Sequence, residues 1–378
     1  MVLIKSKLFS NNIKYFLLFL QTGLFGALFA QNYSVFNTTN SGLIDNSTTC
    51  LSKDSLGNIY VGTQWGLNSF NGSTWVDYSS ELLNPSVRCV EFDNNGFLWV
   101  GTLGGLSKFD GFFWTHHDTT NGLFDNQINC VAFDSLNQPW VGTSKGVYSY
   151  DGRNWNVQLD SSAIEPTFIN VTKLSFIGDS LIVCTMNGGI GYLYSGSINW
   201  YSSFINNLPD NSSYDVEVTE GGKRLFACPQ GGLLMHFSVN TWFNWNIVNT
   251  SGFPSNSLTC IEKIDSNLFM AGTLGAGMFE FSFQQGVPIT SVYDTSNQSV
   301  PENYIVDILK NNDGSIWAAT LNSGLVKLGS SSVAVDEVLK QKPFVVNSFD
   351  LLGRKGAKGL TIKIYSDGSA KKIFNQRR

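Results

Sequence analysis

The sequence predicts an all-β fold: a seven-bladed β-propeller whose ring is closed by the N-terminal strand, followed by a short C-terminal β tail. Three observations predict it: the composition, a repeat of about 40 residues, and a strand missing from the last repeat. The 378 residues include 37 Gly and 13% aromatic residues, but only 14% charged residues. This mixture is typical of many short strands joined by tight turns, and it argues against a helical bundle or a disordered chain.

The repeat is carried by the segment Val61-Gly62-Thr63, which recurs as Val100-Gly101-Thr102 and Val141-Gly142-Thr143. Weaker copies begin at Val183, Ala227, Ala271 and Ala318. The spacing between successive copies runs from 39 to 47 residues, which gives seven copies in all. A period of about 40–45 residues, with room for four short strands, is the pattern of propeller blades.

Each repeat is interpreted as four strands, A to D. In the second repeat strand A spans 87–92, strand B 97–102 and strand C 106–109, and Asp110-Gly111 forms the C–D turn. Asn-Gly and Asp-Gly pairs favour a two-residue type I′ hairpin, because that turn needs two positive φ angles. The counterparts in other repeats are Asn71-Gly72, Asp151-Gly152 and Ser195-Gly196.

Two sets of residues recur once per blade. Strand D opens with a tryptophan in five repeats: Trp75, Trp114, Trp155, Trp200 and Trp242. An array of this kind would suit sugar stacking, but its regular place in the outer strand favours packing between blades. An asparagine precedes strand A in four repeats, where we expect it to cap the turn rather than bind a ligand: Asn46, Asn126, Asn256 and Asn303.

The seventh repeat supplies strands A to C, over 304–328, but no strand D. The missing strand is predicted at the other end of the chain, because residues 37–46 parallel residues 118–126, which end strand D of the second repeat and form the loop after it. Residues 33–37 should therefore be strand D of the seventh blade. Pairing it there removes an open sheet edge and joins the two ends of the ring.

The pattern of the repeats resembles the two-component regulator propeller repeat. Residues 93–114 match it best, with Asp-x-x-Gly, Leu-Trp-Val-Gly-Thr and Gly-Leu-x-x-Phe-Asp-Gly followed by Trp; 58–75 and 134–155 match well, and blades four to six are degenerate. The resemblance implies a surface-exposed sensing module of Bacteroidetes-type bacteria, of a kind often fused to a membrane-spanning histidine kinase. No kinase or spanning helix is evident here, so signalling would need a separate membrane or envelope partner.

Three segments are predicted along the chain. Residues 1–30 are predicted to be a secretory signal, with a basic start, an apolar run and cleavage expected after Ala30; the alternative is an uncleaved anchor. Residues 31–330 form the propeller, and residues 331–378 resemble the end of a type IX secretion sorting domain, through Asp350-Leu351-Leu352-Gly353-Arg354 and the strand-like segments after it. The alternative for the tail is a basic hairpin without a sorting role.

The charge distribution bears on partners and location. Residues 31–330 hold 11 basic and 25 acidic residues, or −14, whereas residues 331–378 hold 10 and 4, or +6. An acidic propeller repels phosphate backbones, so nucleic acid is not expected as a partner. We expect an exported protein, at the cell surface or outside the cell, with no transmembrane helix after signal cleavage and with the type IX secretion machinery as a partner.

The sequence indicates no catalytic constellation, metal site or cofactor. Cys50, Cys89, Cys130 and Cys260 recur at one strand-A position, and Cys184 and Cys228 replace the signature glycine of blades four and five. Equivalent positions point the same way, so small buried thiols between blades are favoured over disulfides, which remain the alternative. Of the three histidines, His116 and His117 fall on an outer strand D and His236 on a strand C, and surface or packing roles are favoured over a role as a general base. Paired carboxylates stay open, because the sequence does not reveal their distance.

A ligand is expected at the channel mouth, on the face formed by the D–A and B–C loops. The residue before the strand-A cysteine position is polar in six blades: Thr49, Arg88, Asn129, Asn170, Asp215 and Thr259, with Val306 in the seventh. Alternation along a strand would direct this set into the channel, with Arg88 and Asp215 roughly opposed. The B–C turns would add Trp65, Lys145, Asn187 and Gln230 at the rim, with Trp65 the strongest single candidate. The alternative is a water-filled channel that merely has polar walls.

The leading hypothesis is an exported, non-enzymatic recognition propeller that binds a glycan or a protein at its channel face. The second is a structural or docking platform in envelope assembly or secretion. The third is a lyase or hydrolase acting on polysaccharide. Fold alone does not choose among them.

Overall fold

A computed structural model describes residues 33–160, 169–203, 208–238, 241–282, 291–328, 345–350, 360–365 and 370–374. The predicted signal segment, residues 1–30, lies outside the described residues. The chain forms two compact units, Met1–Gly329 and Ser330–Arg378. The first unit contains seven four-stranded antiparallel sheets, which are the seven blades, and the second contains one three-stranded sheet. The predicted propeller fold is confirmed.

Each blade is one meander of strands A to D. The first three blades are built from β2 Thr48–Lys53, β3 Ile59–Thr63, β4 Leu67–Phe70 and β5 Trp75–Asp77; β6 Val87–Phe92, β7 Leu98–Thr102, β8 Gly105–Phe109 and β9 Trp114–His117; and β10 Ile128–Phe133, β11 Pro139–Thr143, β12 Gly146–Tyr150 and β13 Trp155–Asp160. A single turn of 3-10 helix, Ser79–Glu81, joins the first blade to the second.

The later blades follow the same plan. They are built from β14 Asn170–Ile177, β15 Ser180–Met186, β16 Ile190–Tyr194 and β17 Ser197–Tyr201; β18 Asp215–Val218, β19 Arg224–Cys228, β20 Gly232–Ser238 and β21 Thr241–Trp245; β22 Leu258–Lys263, β23 Leu268–Thr273, β24 Met278–Ser282 and β25 Ser291–Tyr293; and β26 Ile305–Lys310, β27 Ile316–Thr320 and β28 Leu325–Leu328, with the fourth strand of the last blade coming from the N-terminal part of the chain.

That closing strand is β1, Tyr33–Phe36. It pairs antiparallel with β28, with Tyr33 opposite Leu328 and Phe36 opposite Leu325. The predicted closure of the ring is therefore confirmed. Phe36 lies between two blades, with its ring centroid 5.2 Å from that of Phe70 and 5.6 Å from that of Trp317, so the closing strand contributes packing as well as hydrogen bonds.

The C–D turns differ from the prediction in the first three blades. A type I′ turn needs positive φ at both central residues. Of the four predicted turns, only that of the fourth blade meets this condition, with Ser195 at φ 48° and Gly196 at φ 75°. In the second blade Asp110 Oδ1 accepts hydrogen bonds from the backbone N–H of Phe112 (2.9 Å) and Phe113 (2.8 Å). The carboxylate organises a four-residue turn, which leaves the positive φ to the glycine alone.

The blades pack through the cysteine positions. All six thiols are free and buried, as predicted. A Cβ on Gly101 would lie 2.5 Å from Cys89 Sγ and 2.6 Å from Ile128 Cγ2 of the next blade, so the glycine of the Val-Gly-Thr signature makes room for a thiol wedged between two blades. The fifth blade departs from the prediction, because Asp215 pairs with Ala227. Ala227 therefore holds the glycine position there, and Cys228 lies one residue beyond it.

The residues that recur once per blade have the predicted structural roles. Trp75 and Trp114 pack between blades, with ring centroids 6.0 Å from Phe36 of the last blade and 6.1 Å from Tyr78 of the first blade, respectively. Each also stacks on an aromatic ring of its own blade, Trp75 on Phe70 at 4.6 Å and Trp114 on Phe109 at 4.9 Å. The asparagines before strand A cap the preceding loops through their Oδ1 atoms. Each Oδ1 accepts a hydrogen bond from one backbone N–H group at 2.8–2.9 Å. The N–H of Thr38 donates to Asn46, that of Thr119 to Asn126, that of Ile247 to Asn256 and that of Thr295 to Asn303.

The second unit is a three-stranded antiparallel sheet in the order β29 Val345–Asp350, β30 Leu360–Tyr365 and β31 Ala370–Phe374. Its sorting role stays a prediction. In the parts of the chain that the structure describes, no helix has the length and apolar character needed to cross a membrane.

Candidate functional site

The innermost strand of every blade lines a central channel that contains two connected cavities. The upper cavity, about 370 Å³, lies at the end where the loops before strand A meet the B–C turns, and Gln64, Met186 and Leu321 form part of its wall. The lower cavity, about 620 Å³, extends from there along strand A of all seven blades. The two cavities share the residues at their junction: Thr49, Arg88, Asn129, Thr172, Tyr214 and Val306.

The junction exists because strand A carries a β-bulge. In the second blade Val87 pairs with Thr102 and Cys89 with Gly101, which leaves Arg88 as the extra residue. The same shift occurs at Thr49, Asn129, Thr259 and Val306. A bulge re-aims a side chain and interrupts the alternation of faces, so the bulged residue and the cysteine position after it both reach the channel wall.

The register corrects two members of the predicted ligand set. In the fourth blade the shift lies between Val171 and Lys173, so Thr172 rather than Asn170 is the bulged residue. In the fifth blade Asp215 holds the cysteine position, and Tyr214 precedes it. Sequence spacing missed both for different reasons. In the fourth blade the A–B turn between Ile177 and Ser180 is shorter than that between Lys53 and Ile59 in the first blade. In the fifth blade Ala227 holds the glycine position and not the valine position of the signature, so that counting back from it is one residue off. Asn170 nevertheless lines the upper cavity, and Asp215 lines the lower one.

The other residues of the predicted ligand set lie at different depths in the channel. Thr49, Arg88 and Asn129 line both cavities, and Thr259 lines the lower one. Arg88 is exposed. Arg88 and Asp215 belong to different levels of the channel, and the carboxylate of Asp215 pairs with Lys173 instead.

The four predicted rim residues lie in B–C turns but line neither described cavity. Trp65 is 67% exposed. Lys145 Nζ lies 3.8 Å from Asp125 Oδ1, and its side chain is 68% exposed. Asn187 Oδ1 accepts a hydrogen bond from Ser212 Oγ at 3.2 Å, while Gln230 is held through its backbone N–H, 2.9 Å from Asp210 Oδ2. They are available on the upper face rather than inside the channel.

Below the junction, the cysteine positions form a ring of mixed chemistry. By register it consists of Cys50, Cys89, Cys130, Lys173, Asp215, Cys260 and Asp307. Two residues further along each strand A, the next ring contains three carboxylates, Glu91, Glu217 and Glu262. Of Lys173 and these carboxylates, only Asp215 was among the residues predicted from the sequence. Their recurrence two residues after the cysteine position was the signal that could have found them.

Several of these polar side chains join neighbouring blades. Asp215 Oδ2 accepts the backbone N–H of Ile261 at 2.9 Å, and Asp307 Oδ2 accepts that of Leu51 at 2.7 Å across the ring closure. Glu262 Oε1 accepts the backbone N–H of Lys310 at 2.8 Å. Within the predicted ligand set, Asn129 Nδ2 donates to Val171 O at 2.8 Å and Thr259 Oγ1 donates to Ile305 O at 2.7 Å. These bonds give the lower channel a structural role as a blade-to-blade seam.

The charges of the lower channel are unbalanced. Lys173 Nζ lies 3.2 Å from Asp215 Oδ1, and this carboxylate, with Glu91 and Asp307 further away, raises the pKa of Lys173 well above its usual value. Burial raises the pKa of Asp307 to about 7, although Lys173 opposes the shift. Burial also raises the pKa of Glu262 to about 8. The cavity thus holds more carboxyl groups than cations, and at neutral pH part of them stay protonated.

Strongly shifted carboxyls in a cavity are typical of active sites, but structural networks shift them as well. Here Asp307 and Glu262 each accept a backbone N–H group of the next blade, so their buried carboxyl groups have a structural role. The three histidines of the chain lie elsewhere: His116 and His117 on β9 and His236 on β20. His117 accepts from Trp155 Nε1 at 3.3 Å, and His236 stacks on Trp242 with ring centroids 4.3 Å apart. Over the described ranges, no three His, Cys, Asp or Glu residues are arranged to hold a metal ion.

Comparison with known proteins supports the fold. A family model described as the two component regulator propeller matches residues 81–104, which include strands A and B of the second blade. No curated protein matches the chain. Among solved structures, the chain is similar to the extracellular domain of BT3049 from B. thetaiotaomicron, assigned as a hybrid two component system, at 17% identity and a TM-score of 0.68 over 91% of this chain and 48% of that one. The chain thus spans about half the length of that relative.

Two further similarities involve proteins with different activities. PorZ, a surface component of the type IX secretion system of Porphyromonas gingivalis, matches at 13% identity and a TM-score of 0.56 over 90% of this chain and 60% of that one. A catalytically inactive histidine-to-alanine variant of virginiamycin B lyase from Staphylococcus aureus, in complex with quinupristin, matches at 12% identity and a TM-score of 0.61 over 79% of this chain and 98% of that one. At such identities the likeness concerns the fold, which serves sensing, secretion and catalysis alike.

Proposed function

We propose that this chain is an exported, non-enzymatic recognition module that binds a glycan or a protein ligand at its channel face, which comprises the upper cavity and the exposed B–C turns around it. The observation that carries the proposal is the wall of that cavity: it is open, lined mostly by uncharged polar residues, and contains Arg88, an exposed cation. Concave sites with a few convergent polar groups are the usual places where proteins bind small ligands.

The contrast between the two ends of the channel favours the upper one. In the lower cavity Asp215, Asp307 and Glu262 are engaged with backbone N–H groups of the next blade. A ligand that took these carboxylates would have to replace bonds that hold the blades together. At the upper end Asn170 Oδ1 accepts a hydrogen bond from Asn129 Nδ2 at 3.0 Å, but Asn170 Nδ2 has only a weak acceptor, Met186 Sδ at 3.9 Å. A ligand hydroxyl or carbonyl would replace that contact at little cost.

Similarity to the extracellular domain of a two-component system is in keeping with a sensor-like role. We propose that a separate membrane signalling or envelope partner transmits the signal. The signal-like residues 1–30 and the sorting-like tail of residues 331–378 motivate export, with the type IX machinery as the route. Mass spectrometry of the secreted protein tests this: a mature N-terminus at Gln31 is expected, and retention of the first thirty residues contradicts it.

A lyase or hydrolase activity is the weaker hypothesis. The similar virginiamycin B lyase is inactivated by replacement of a histidine, whereas the residues lining the two described cavities of this chain include no histidine. The lower-channel carboxyls belong to the seam between blades. Incubation with a polysaccharide panel should release no new reducing or unsaturated ends, and release of either would favour catalysis.

The proposal is tested by isothermal titration of the full chain with a panel of bacterial and algal oligosaccharides. Trp65→Ala removes the exposed aromatic side chain of the upper face, and Phe112→Ala is the matched control, because Phe112 is 86% exposed in a C–D turn at the opposite end of the blades. Saturable binding that Trp65→Ala weakens and Phe112→Ala preserves supports recognition at the upper face. Loss of binding in the Phe112 variant alone would place the site on the other face and refute the proposal.

A docking platform is the second candidate function, and the exposed apolar side chains of the upper face favour it. They come from B–C turns and from the loops before strand A: Trp65, Leu83, Leu103, Leu274, Tyr304 and Leu321. Side chains of this kind suit a protein partner better than a glycan. If a photo-cross-linker at position 103 captures one defined envelope protein in producing cells and Leu321→Asp abolishes the product, docking is favoured over glycan binding.

A further inference from the structure

The charge of the upper cavity identifies the kind of ligand it suits. Its wall contains no carboxylate, and Arg88 is its one charged residue. The ion pairs found among the described residues join Lys145 to Asp125, Lys173 to Asp215 and Lys327 to Asp313, so Arg88 has no such partner there. A guanidinium without a counterion, at the wall of an open cavity, is suited to receive a carboxylate through paired hydrogen bonds.

Arg88 is a positively charged group on a propeller whose net charge is negative. Residues 31–330 carry 11 basic and 25 acidic residues, a balance of 11 − 25 = −14. Solvent-exposed charges act over about 8 Å at physiological salt, so a distant negative surface does not cancel Arg88 at contact. It does repel anions elsewhere on the propeller, which leaves the upper cavity as a favourable position for one.

The lower channel limits how deep a negative group would go. Glu91 lies three residues beyond Arg88 on the same strand, and Glu217, Glu262 and Asp307 line the same lower cavity, opposed by Lys173. An anion moved down the channel would leave Arg88 and approach these carboxyls. The negative group should therefore stay at the level of Arg88, and the neutral part of the ligand should extend across the upper cavity.

The rest of the upper wall is uncharged and mixed in character. Thr49, Gln64 and Asn170 offer hydroxyl and amide groups, while Met186 and Leu321 offer apolar contact. A volume of about 370 Å³ is at the small end of ligand pockets, which are commonly about 300–1,000 Å³. It suits one or two sugar units, or the last residues of a peptide.

We infer that the upper cavity binds a ligand bearing one carboxylate, with that group on Arg88 and its neutral part against Asn170 and Met186. The inference rests on the proposed recognition function and adds the ligand's chemistry to it. The carboxylate could belong to a uronic acid at the end of an oligosaccharide or to the C-terminus of a peptide. The two sources share the recognition at Arg88 and are separated by experiment.

The test is titration calorimetry on the full chain with two pairs of probes. Digalacturonic acid is compared with neutral digalactose, and an N-acetylated dipeptide with a free C-terminal carboxylate is compared with its C-terminal amide. The variants are Arg88→Gln and Arg88→Lys, and the control is Arg153→Gln, the same change at an exposed position in a C–D turn at the opposite end of the blades. Thermal unfolding of each variant verifies that it is folded.

We expect one carboxylate probe to bind and its neutral counterpart to bind at least about tenfold more weakly, the loss typical of one charge-assisted contact. Arg88→Gln should remove that preference, Arg88→Lys should keep part of it, and Arg153→Gln should leave it intact. The probe pair that shows the preference identifies the source of the carboxylate.

Three results would overturn the inference. One is equal affinity for a carboxylate probe and its neutral counterpart, insensitive to Arg88→Gln; this outcome leaves the proposed recognition function standing. Another is an equal loss of affinity for the carboxylate probe in Arg88→Gln and Arg153→Gln, which would indicate non-specific electrostatic attraction. The third is the absence of binding by either carboxylate probe at millimolar concentration, whereas failure of the recognition proposal itself requires the wider glycan panel to fail as well.

Discussion

Truncation of Phe36 tests the ring closure, on which the arrangement of all seven blades depends. The Phe36 ring contacts the rings of Phe70, Trp317 and Trp75, with centroid distances of 5.2, 5.6 and 6.0 Å. These residues belong to the first and last blades, so the side chain bridges the two ends of the ring. Phe36→Ala would remove this bridge and leave the backbone pairing with Leu325 in place.

The expected loss of stability in Phe36→Ala follows from how far the Phe36 side chain is buried. Replacing a fully buried phenylalanine by alanine costs about 3–5 kcal/mol. Phe36 is only half-buried, so we expect the free energy of unfolding to fall by about 2–3 kcal/mol, including the lost aromatic pairs. The matched control is Phe113→Ala, because Phe113 is 75% exposed in a C–D turn. Such a surface change should stay within about 0.5 kcal/mol.

Urea unfolding followed by tryptophan fluorescence provides the assay. All ten tryptophans lie between residues 65 and 317, so the signal reports on the propeller and not on the C-terminal sheet. If Phe36→Ala is no more destabilising than Phe113→Ala, the N-terminal strand does not close the ring in solution, and the packing argument is refuted.

Three more predictions concern the channel and the blade interfaces. Burial raises the pKa of Asp307 from 3.8 to about 7 and that of Glu262 from 4.5 to about 8. Between these pH values the folded chain holds protons that the unfolded chain has lost, so the free energy of unfolding should fall as pH rises from about 4 to about 8. The fall should be about 1 kcal/mol per pH unit for each group while it titrates. Glu262→Gln should flatten the upper part of this profile, as measured by urea titrations. Gly101→Ala should destabilise the chain strongly, by several kcal/mol, because its Cβ would lie 2.5 Å from Cys89 Sγ, and Cys89→Gly should restore part of the loss. Burial raises the pKa of all six thiols, so a thiol reagent such as DTNB should react with none of them in the native chain and with all six in denaturant.

Each of these predictions has a contradicting outcome. Stability that rises between pH 4 and 8 would mean that other titrating groups, and not the two channel carboxyls, dominate the profile. Gly221 provides a matched control, because a Cβ there would meet only Thr219 Oγ1 at 3.9 Å; comparable losses in Gly101→Ala and Gly221→Ala would refute the steric account. Fewer than six reactive thiols after denaturation without reductant would indicate a disulfide in solution.

Most of the fold could be predicted from the sequence because propeller blades are local structures. Each blade pairs strands that follow one another along the chain, so the spacing of Val-Gly-Thr segments and of turn residues suffices to mark them. The one long-range pairing, β1 with β28, was also predictable, because the last repeat lacked a strand and the first residues resembled the end of another. The roles of the recurring tryptophans, asparagines and cysteines followed from the same periodicity.

The turn type was less predictable. Asp110-Gly111 suits a type I′ hairpin by composition, yet the Asp110 side chain accepts two backbone N–H groups and stabilises a four-residue turn instead. Composition does not distinguish these outcomes, because the same Asp favours both through different atoms. Among the hydrogen bonds of the described residues, none of this kind involves Ser195 in the fourth blade, and there the two-residue turn forms.

The sequence by itself determined the all-β class, the seven repeats, the closing strand and the presence of polar side chains along strand A. Only the tertiary structure decided which of them face the same space. In the fourth blade the bulge that interrupts strand A falls at Thr172 and not at the predicted Asn170. In the fifth blade the register of strand A with strand B places Asp215 at the cysteine position, so that Tyr214 lies at the junction. The seam of Lys173, Asp215, Asp307 and Glu262 joins successive blades and, through Asp307 and Leu51, crosses the ring closure. Its charges interact because the propeller brings the innermost strands of seven blades around one axis.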